Sequence, residues 1–163
     1  MDRRLFLKIM GLSSIFHQWL LRDLSAAEMP VVAVAEGKDY DRITRNAIAA
    51  LGGMKRFVKS GDVVVVKPNI GWDRTPEQAA NTHPLVVKGV VEEALRAGAK
   101  KVKVFDRTCN DERRCYANSG IPDALKGLKN VEVKYVEPER FKKVLLKGAV
   151  LKEWELYGEA LSA

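Results

Sequence analysis

The segment DRTCNDERRCY, residues 106 to 116, contains both cysteines of the chain, Cys109 and Cys115. Three kinds of chemistry are open to them: a disulfide, shared ligation of a metal or iron–sulfur centre, or two free thiols. Their spacing is not that of a CxxC pair, and two thiolates fill only half of a tetrahedral metal site. A disulfide needs no ligand that the sequence fails to supply, so it is the favoured prediction if the protein works in an oxidising compartment.

A metal site would need further ligands besides Cys109 and Cys115. His83 is the only histidine after residue 17, and its imidazole suits either a metal ligand or a general base. Asp106 is a second candidate from the same part of the chain. The identity of any cofactor stays open, with an iron–sulfur cluster or a single metal ion as the alternatives.

Polar residues cluster after two of the predicted strands, in the segments KPNIGWDRTPEQAANTH and DRTCNDERRCYANSGI. Ligands of open α/β sheets bind beyond the carboxyl ends of the strands, so these loops predict a binding crevice. The candidate ligand-binding residues are Lys67, Asn69, Thr82, Asp106, Arg113, Arg114, Ser119 and Gly120.

Each candidate also has a structural interpretation. Lys67, Arg113 and Arg114 suit a phosphate or carboxylate, or they are simply solvated side chains. Thr82, or its neighbour Asn81, is as well placed to cap the helix that starts near Pro84. Asp106 follows a strand where Rossmann-type proteins hold a ribose, but no GxGxxG turn precedes it, so a dinucleotide site has little support.

Apolar patterning places these loops on an α/β scaffold. Strands are predicted over 31–37, 62–70, 101–106 and 131–137, the first two of them buried, with helices over 40–58, from Pro84 to Gly98, and from Pro122. The four valines before Lys67 are typical of a parallel strand buried on both faces. We expect an open, largely parallel Rossmann-like sheet with flanking helices, followed by a hairpin about Lys147-Gly148 and the start of a helix.

The amino terminus, MDRRLFLK followed by a short apolar run, has the layout of an export signal. Its Arg3-Arg4 pair, with Phe6, Leu7 and Lys8 in register, resembles a twin-arginine signal. The sequence therefore predicts a signal peptide over residues 1–27, a mature domain over 28–163, and a periplasmic or other extracytoplasmic location. The twin-arginine export machinery is then one partner, and no stable membrane anchor is expected after cleavage.

Composition sets broad limits on function. The chain has 163 residues, 47% hydrophobic and 30% charged, which suits one globular domain. Its formal charge is +7, but acidic and basic residues alternate along the chain. We interpret the excess as a solvated surface, with an acidic small molecule as the alternative, and expect no nucleic-acid partner.

Several motifs together resemble domain-of-unknown-function family 362, over about residues 30 to 163. A strand ends in Lys67-Pro68-Asn69, a helix starts at Thr82-His83-Pro84, a strand ends in Asp106, and Ser119-Gly120-Ile121 forms a turn. The resemblance implies an α/β domain, but no established activity. Some relatives carry ferredoxin-like cysteine segments, which this chain lacks. Family members continue further, so the resemblance implies an incomplete, amino-terminal part completed by a second chain or a missing carboxy-terminal half.

Together these patterns predict an exported α/β domain that binds a small anionic ligand, a cofactor or a metal or iron–sulfur centre, in a redox-related role. The alternative is a non-catalytic structural or partner-docking fragment completed by another chain. A metal-assisted enzyme using Lys67, His83 and Asp106 is a third hypothesis, and whether the protein is an enzyme stays open.

Overall fold

The folded domain alternates short strands with helices. The computed structural model describes residues 32–163, of which 33–163 form one compact unit. Its helices are α1 (Tyr40–Ala50), α2 (Pro84–Ala97), α3 (Glu112–Ser119), α4 (Ile121–Leu125) and α5 (Gly158–Leu161). Its strands are β1 (Val63–Val66), β2 (Lys101–Val104), β3 (Val131–Val133), β4 (Phe141–Leu145) and β5 (Glu153–Tyr157).

The first three strands form one parallel sheet in the order β1-β2-β3. Their register brings valines side by side: Val66 lies next to Val104, which lies next to Val133. Alternate residues of a strand face opposite sides, so the valines of β2 cover one face and its lysines the other. The valine face packs against the helices and supplies the core.

Helix α2 covers the apolar face of the sheet. Its stripe of Val87, Val91 and Ala94 is almost completely buried against Val102 and Val104. Gly98 ends the helix in the left-handed conformation, with φ of 111°. A Cβ there would lie 3.0 Å from the Cα of Ser60, so both the turn and the close approach favour glycine.

The carboxyl-terminal part is an antiparallel hairpin, β4–β5, followed by α5. Tyr157, at the end of β5, packs edge-on against Phe105 after β2, with 4.9 Å between ring centroids. Glu159 of α5 forms ion pairs with Lys103 on the polar face of the sheet and with Lys134 beyond β3. The hairpin and α5 are therefore attached to the sheet by an aromatic contact and by partly buried ion pairs.

The predicted fold class is confirmed, since the described residues form an open parallel sheet with flanking helices, consistent with an incomplete Rossmann-like arrangement. Several details differ. The helix predicted over 40–58 ends at Ala50, and the strands predicted over 62–70 and 101–106 end at Val66 and Val104. The parallel sheet has three strands rather than four, because residues 32–37 pair with no described strand. Helix α3 was predicted as loop, and the fourth predicted strand is shorter, ending at Val133.

Two predictions on the amino-terminal part, the export signal over 1–27 and cleavage before Glu28, lie outside the described residues. Within residues 32–163, no helix combines the length and the apolar character needed to cross a bilayer.

Candidate functional site

Lys67 and Asp106 meet at the carboxyl edge of the sheet. They follow the neighbouring strands β1 and β2, as expected for two loops that share one crevice. The Nζ of Lys67 lies 2.5 Å from Oδ1 of Asp106. The carboxylate is only 4% exposed, whereas the lysine side chain is 66% exposed. The ammonium group of Lys67 thus faces solvent, while the carboxylate that it pairs with is buried.

Asp106 also fixes the loop after β1. Its second oxygen, Oδ2, accepts a hydrogen bond from the backbone N–H of Ile70 at 2.8 Å. Ile70 is fully buried, so this N–H has no access to water. One carboxylate therefore holds both the lysine at the start of the loop and the backbone three residues later.

Tyr116 of α3 ties the ends of β2 and β3 together. Its hydroxyl accepts the backbone N–H of Asp106 at 2.9 Å and donates to the carbonyl of Lys134 at 2.9 Å, with the carbonyl of Asp106 a second acceptor at 3.1 Å. Burial raises the pKa of this phenol to about 12. Tyr116 was not predicted as a site residue, because its segment was predicted to be a loop. The spacing of Cys115, Tyr116 and Ser119, which share the buried side of α3, was the available signal.

Asn69 and Thr82 hold the first loop closed on itself. The backbone N–H of Asn69 donates to Oγ1 of Thr82 at 2.9 Å, and its side-chain amide donates to the carbonyl of Ala80 at 3.0 Å. Asn81 adds bonds to both backbone groups of Trp72. These side chains are engaged with the backbone, so they shape the crevice and leave Lys67 as its exposed donor.

Asp73 joins the first loop to the second. Its carboxylate pairs with Arg114 at 2.6 Å and accepts a hydrogen bond from the amide of Asn118 at 2.5 Å. Arg114 thus forms an ion pair with the first loop, although its side chain is 71% exposed. Arg113, next to it on α3, lines a different cavity with Tyr116 and Tyr135. The two arginines that the sequence suggested for a phosphate or carboxylate therefore have different surroundings.

Ser119 and Gly120 form the turn between α3 and α4. The buried hydroxyl of Ser119 donates to the carbonyl of Tyr116 at 2.8 Å and accepts from the backbone N–H of Ile121 at 3.3 Å. Gly120 has φ of 67° and packs beside Pro76 and Pro84. Both residues have a structural role here, because they form the connection between α3 and α4.

Comparison with known proteins places this fold in a family. Residues 64–163 match the family described as domain of unknown function (DUF362). The chain belongs to this family. A thylakoid-associated protein of Synechocystis sp. (strain ATCC 27184 / PCC 6803 / Kazusa) is 33% identical over 84 residues, which cover 52% of this chain and 26% of that protein. The match thus spans about a quarter of the relative's length. No solved structure matches the chain.

The DUF362 match contains Lys67, Asp106 and every other candidate residue of the two loops. It also contains His83, which the structure assigns a definite local role. Nδ1 of His83 accepts the backbone N–H of Leu85 at 3.2 Å, so the histidine itself caps α2. Its ring stacks on Tyr40, with 3.9 Å between centroids. The prediction that Thr82 or Asn81 caps this helix was wrong, since both are bound within the loop.

The two cysteines of the DUF362 domain contact the same carbonyl group. The backbone N–H of Cys109 and the thiol of Cys115 both donate to the carbonyl of Gly71, at 2.8 and 3.6 Å. Both cysteines are free, with Cys109 exposed and Cys115 buried. Burial also raises the pKa of the Cys115 thiol, which makes it the less reactive of the two. The disulfide between Cys109 and Cys115 stays a prediction, which the change in the protein's mass on reduction tests. The redox role stays a prediction as well.

The predicted metal or iron–sulfur site does not fit the described residues. Between residues 32 and 163, no three His, Cys, Asp or Glu side chains lie close enough together to hold a metal ion. His83 is engaged at the start of α2, and Cys109 and Cys115 supply two ligands where a cluster takes about four. The chemistry that the crevice does offer is that of a fixed, exposed ammonium group.

Proposed function

We propose that this DUF362 domain binds a small anion, a carboxylate or a phosphate group, through Lys67. The observation that carries the proposal is the pairing of an exposed ammonium with a buried carboxylate at the carboxyl edge of a parallel sheet. Ligands of open α/β folds bind at this edge. A phosphorylated cofactor would present the same chemical group as a free phosphate.

The geometry favours an anion because Lys67 keeps hydrogen-bonding capacity. An ammonium group has three donors, and Asp106 occupies one side of it. The remaining donors face solvent, since the side chain is 66% exposed. Asp106 also fixes the position of the ammonium, which lowers the entropy that a ligand must overcome to order a long, flexible side chain.

Titration with inorganic phosphate tests this proposal. We expect saturable binding by isothermal titration calorimetry, weakened at least about tenfold in Lys67→Gln, because a charge-assisted hydrogen bond contributes about 1.5–3 kcal/mol. Lys129→Gln is the matched control: it removes the same charge from an exposed turn before β3, at the opposite edge of the sheet. Equal phosphate affinity in both variants would contradict the proposal.

We also propose that the domain works outside the cytoplasm, delivered by the twin-arginine route. Arg3-Arg4 followed by Phe6-Leu7-Lys8 supports this location. Conversion of Arg3 and Arg4 to lysines keeps the charge but removes the feature that the export machinery reads. We expect a tagged double variant to stay in the cytoplasm in cell fractionation, while Lys8→Arg is exported normally. Unchanged export of the double variant would refute the location.

A second candidate function is partner docking, in which another chain completes the fold. The hairpin exposes large apolar side chains: Leu145 is 82% exposed, Val150 94% and Trp154 57%. Exposed apolar patches and open strand edges are typical of association surfaces. We expect sedimentation velocity of the purified chain to show concentration-dependent association that is reduced in Leu145→Lys. A single monomeric species at every concentration would exclude this candidate.

A further inference from the structure

We propose that the domain has a second small-molecule site, beside β3, that takes a flat aromatic compound carrying one negative charge. This site does not depend on anion binding at Lys67. It is a cavity of about 570 Å³ between α3, the start of α4 and the segment that follows β3. Its volume falls within the range of about 300–1,000 Å³ found for ligand pockets.

The walls of the cavity are mainly apolar and aromatic. Ala117, Pro122 and Val133 supply aliphatic surface, and the rings of Tyr116 and Tyr135 meet edge to face with 4.8 Å between centroids. The hydroxyl of Tyr116 is held by backbone groups, so its ring is fixed in position. Tyr135 is 40% exposed and offers an aromatic surface at the mouth. Such surfaces favour a planar aromatic ligand.

The charged residues of the cavity favour a ligand that carries a negative charge. Three charged residues line the cavity: Arg113, Lys134 and Glu137. Lys134 is paired with Glu159 at 2.8 Å, and Glu137 with Arg140 at 2.6 Å. Arg113 forms no ion pair with any residue of the described part of the chain, 32–163. One guanidinium is thus left over, and its planar fork suits a single carboxylate.

The cavity lies at the same functional edge as Lys67 but is lined by other residues. It opens beyond the carboxyl end of β3, where α/β folds bind ligands, and its lining includes neither Lys67 nor Asn69. Tyr116 is the link between the two places, since its ring borders the cavity and its hydroxyl contacts Asp106. Two sites with separate recognition residues follow from this arrangement.

Binding of 2-naphthoate, measured by isothermal titration calorimetry, tests the proposal. We expect saturable binding that is at least about tenfold weaker for the neutral amide, 2-naphthamide, and for the Arg113→Gln variant. Arg113 is exposed, so this variant keeps the fold, which circular dichroism verifies. Ala117→Trp fills the cavity and is expected to abolish binding. Arg42→Gln removes a charge from exposed α1 and is expected to bind 2-naphthoate normally.

The two sites are distinguished by measuring the binding of each ligand to the variant of the other site. We expect Lys67→Gln to bind 2-naphthoate like the wild type, and Arg113→Gln to bind phosphate like the wild type. Loss of naphthoate binding in Lys67→Gln would overturn the second site. Equal affinity for 2-naphthoate and 2-naphthamide would also overturn it, as would unchanged naphthoate binding in Arg113→Gln. Binding that does not saturate at millimolar naphthoate would overturn it too.

Discussion

Replacement of Asp106 with alanine is expected to lower the free energy of unfolding by about 3 kcal/mol. The main loss is the bond from the backbone N–H of Ile70, because a buried donor left without a partner costs about 1–3 kcal/mol. The ion pair with Lys67 adds less, since that lysine is 66% exposed and screened by water. Urea unfolding followed by circular dichroism measures the change.

Two further variants provide comparisons for Asp106→Ala. Asp106→Asn keeps an oxygen for the N–H of Ile70 but removes the charge, so we expect it to recover most of the stability, to within about 1 kcal/mol of the wild type. Asp123→Ala removes an exposed carboxylate from α4 and is expected to change stability by less than about 0.5 kcal/mol. If Asp106→Ala unfolds at the same urea concentration as Asp123→Ala, the role given to Asp106 is wrong.

Glu159→Gln is expected to lower stability by about 2 kcal/mol at pH 7 and to flatten its acid dependence. The carboxylate pairs with Lys103 at 2.5 Å, Lys134 at 2.8 Å and Arg140 at 2.5 Å. Lys103 first, and then Lys134, lower the pKa of Glu159 from 4.5 to about 2. Glutamine leaves two lysines that are largely shielded from water without their anion.

The pH window follows from that shift. Between pH 4.5 and 2 the unfolded chain binds the proton of Glu159 and the folded protein does not, so stability rises with pH there. The contribution is complete above pH 4.5 and is lost as the pH falls through 2. Asp41 and Glu132, whose pKa values are lowered by Arg45 and Lys101, leave a residual slope in the variant.

Urea unfolding from pH 5 to pH 2 measures the effect. Glu139→Gln is the matched control, because Glu139 is exposed and makes no ion pair within the described region. We expect this control to follow the wild-type curve. An equally steep curve for Glu159→Gln would show that Glu159 does not attach the hairpin and α5 to the sheet.

Much of the scaffold could be predicted from the sequence because its signals are local. Four consecutive valines gave β1, and the apolar stripe between Pro84 and Gly98 gave α2 with correct ends. The valines near residue 32 carry the same local signal, yet pair with no described strand. Strand pairing depends on partners distant in sequence, which a single run of β-branched residues does not specify.

The meeting of the two loops at one edge of the sheet was predicted, but their internal contacts were not. Lys67 and Asp106 each follow a predicted strand, so their meeting needed only that β1 and β2 be neighbours. The commitment of Arg114 to Asp73, and of Asn69 to the backbone, depends on how the loops fold against each other. Nor does a sequence show that Arg113 and Arg114, adjacent on a short helix, have different surroundings.

The most direct test of anion binding at Lys67 is a phosphate titration followed by two-dimensional ¹H–¹⁵N NMR of the wild type and of Lys67→Gln. We predict saturable shifts, largest for the backbone amides of residues 67, 69–71 and 106–109, that disappear in Lys67→Gln and persist in Lys129→Gln. Shifts that map elsewhere, that never saturate, or that survive in Lys67→Gln would contradict the account.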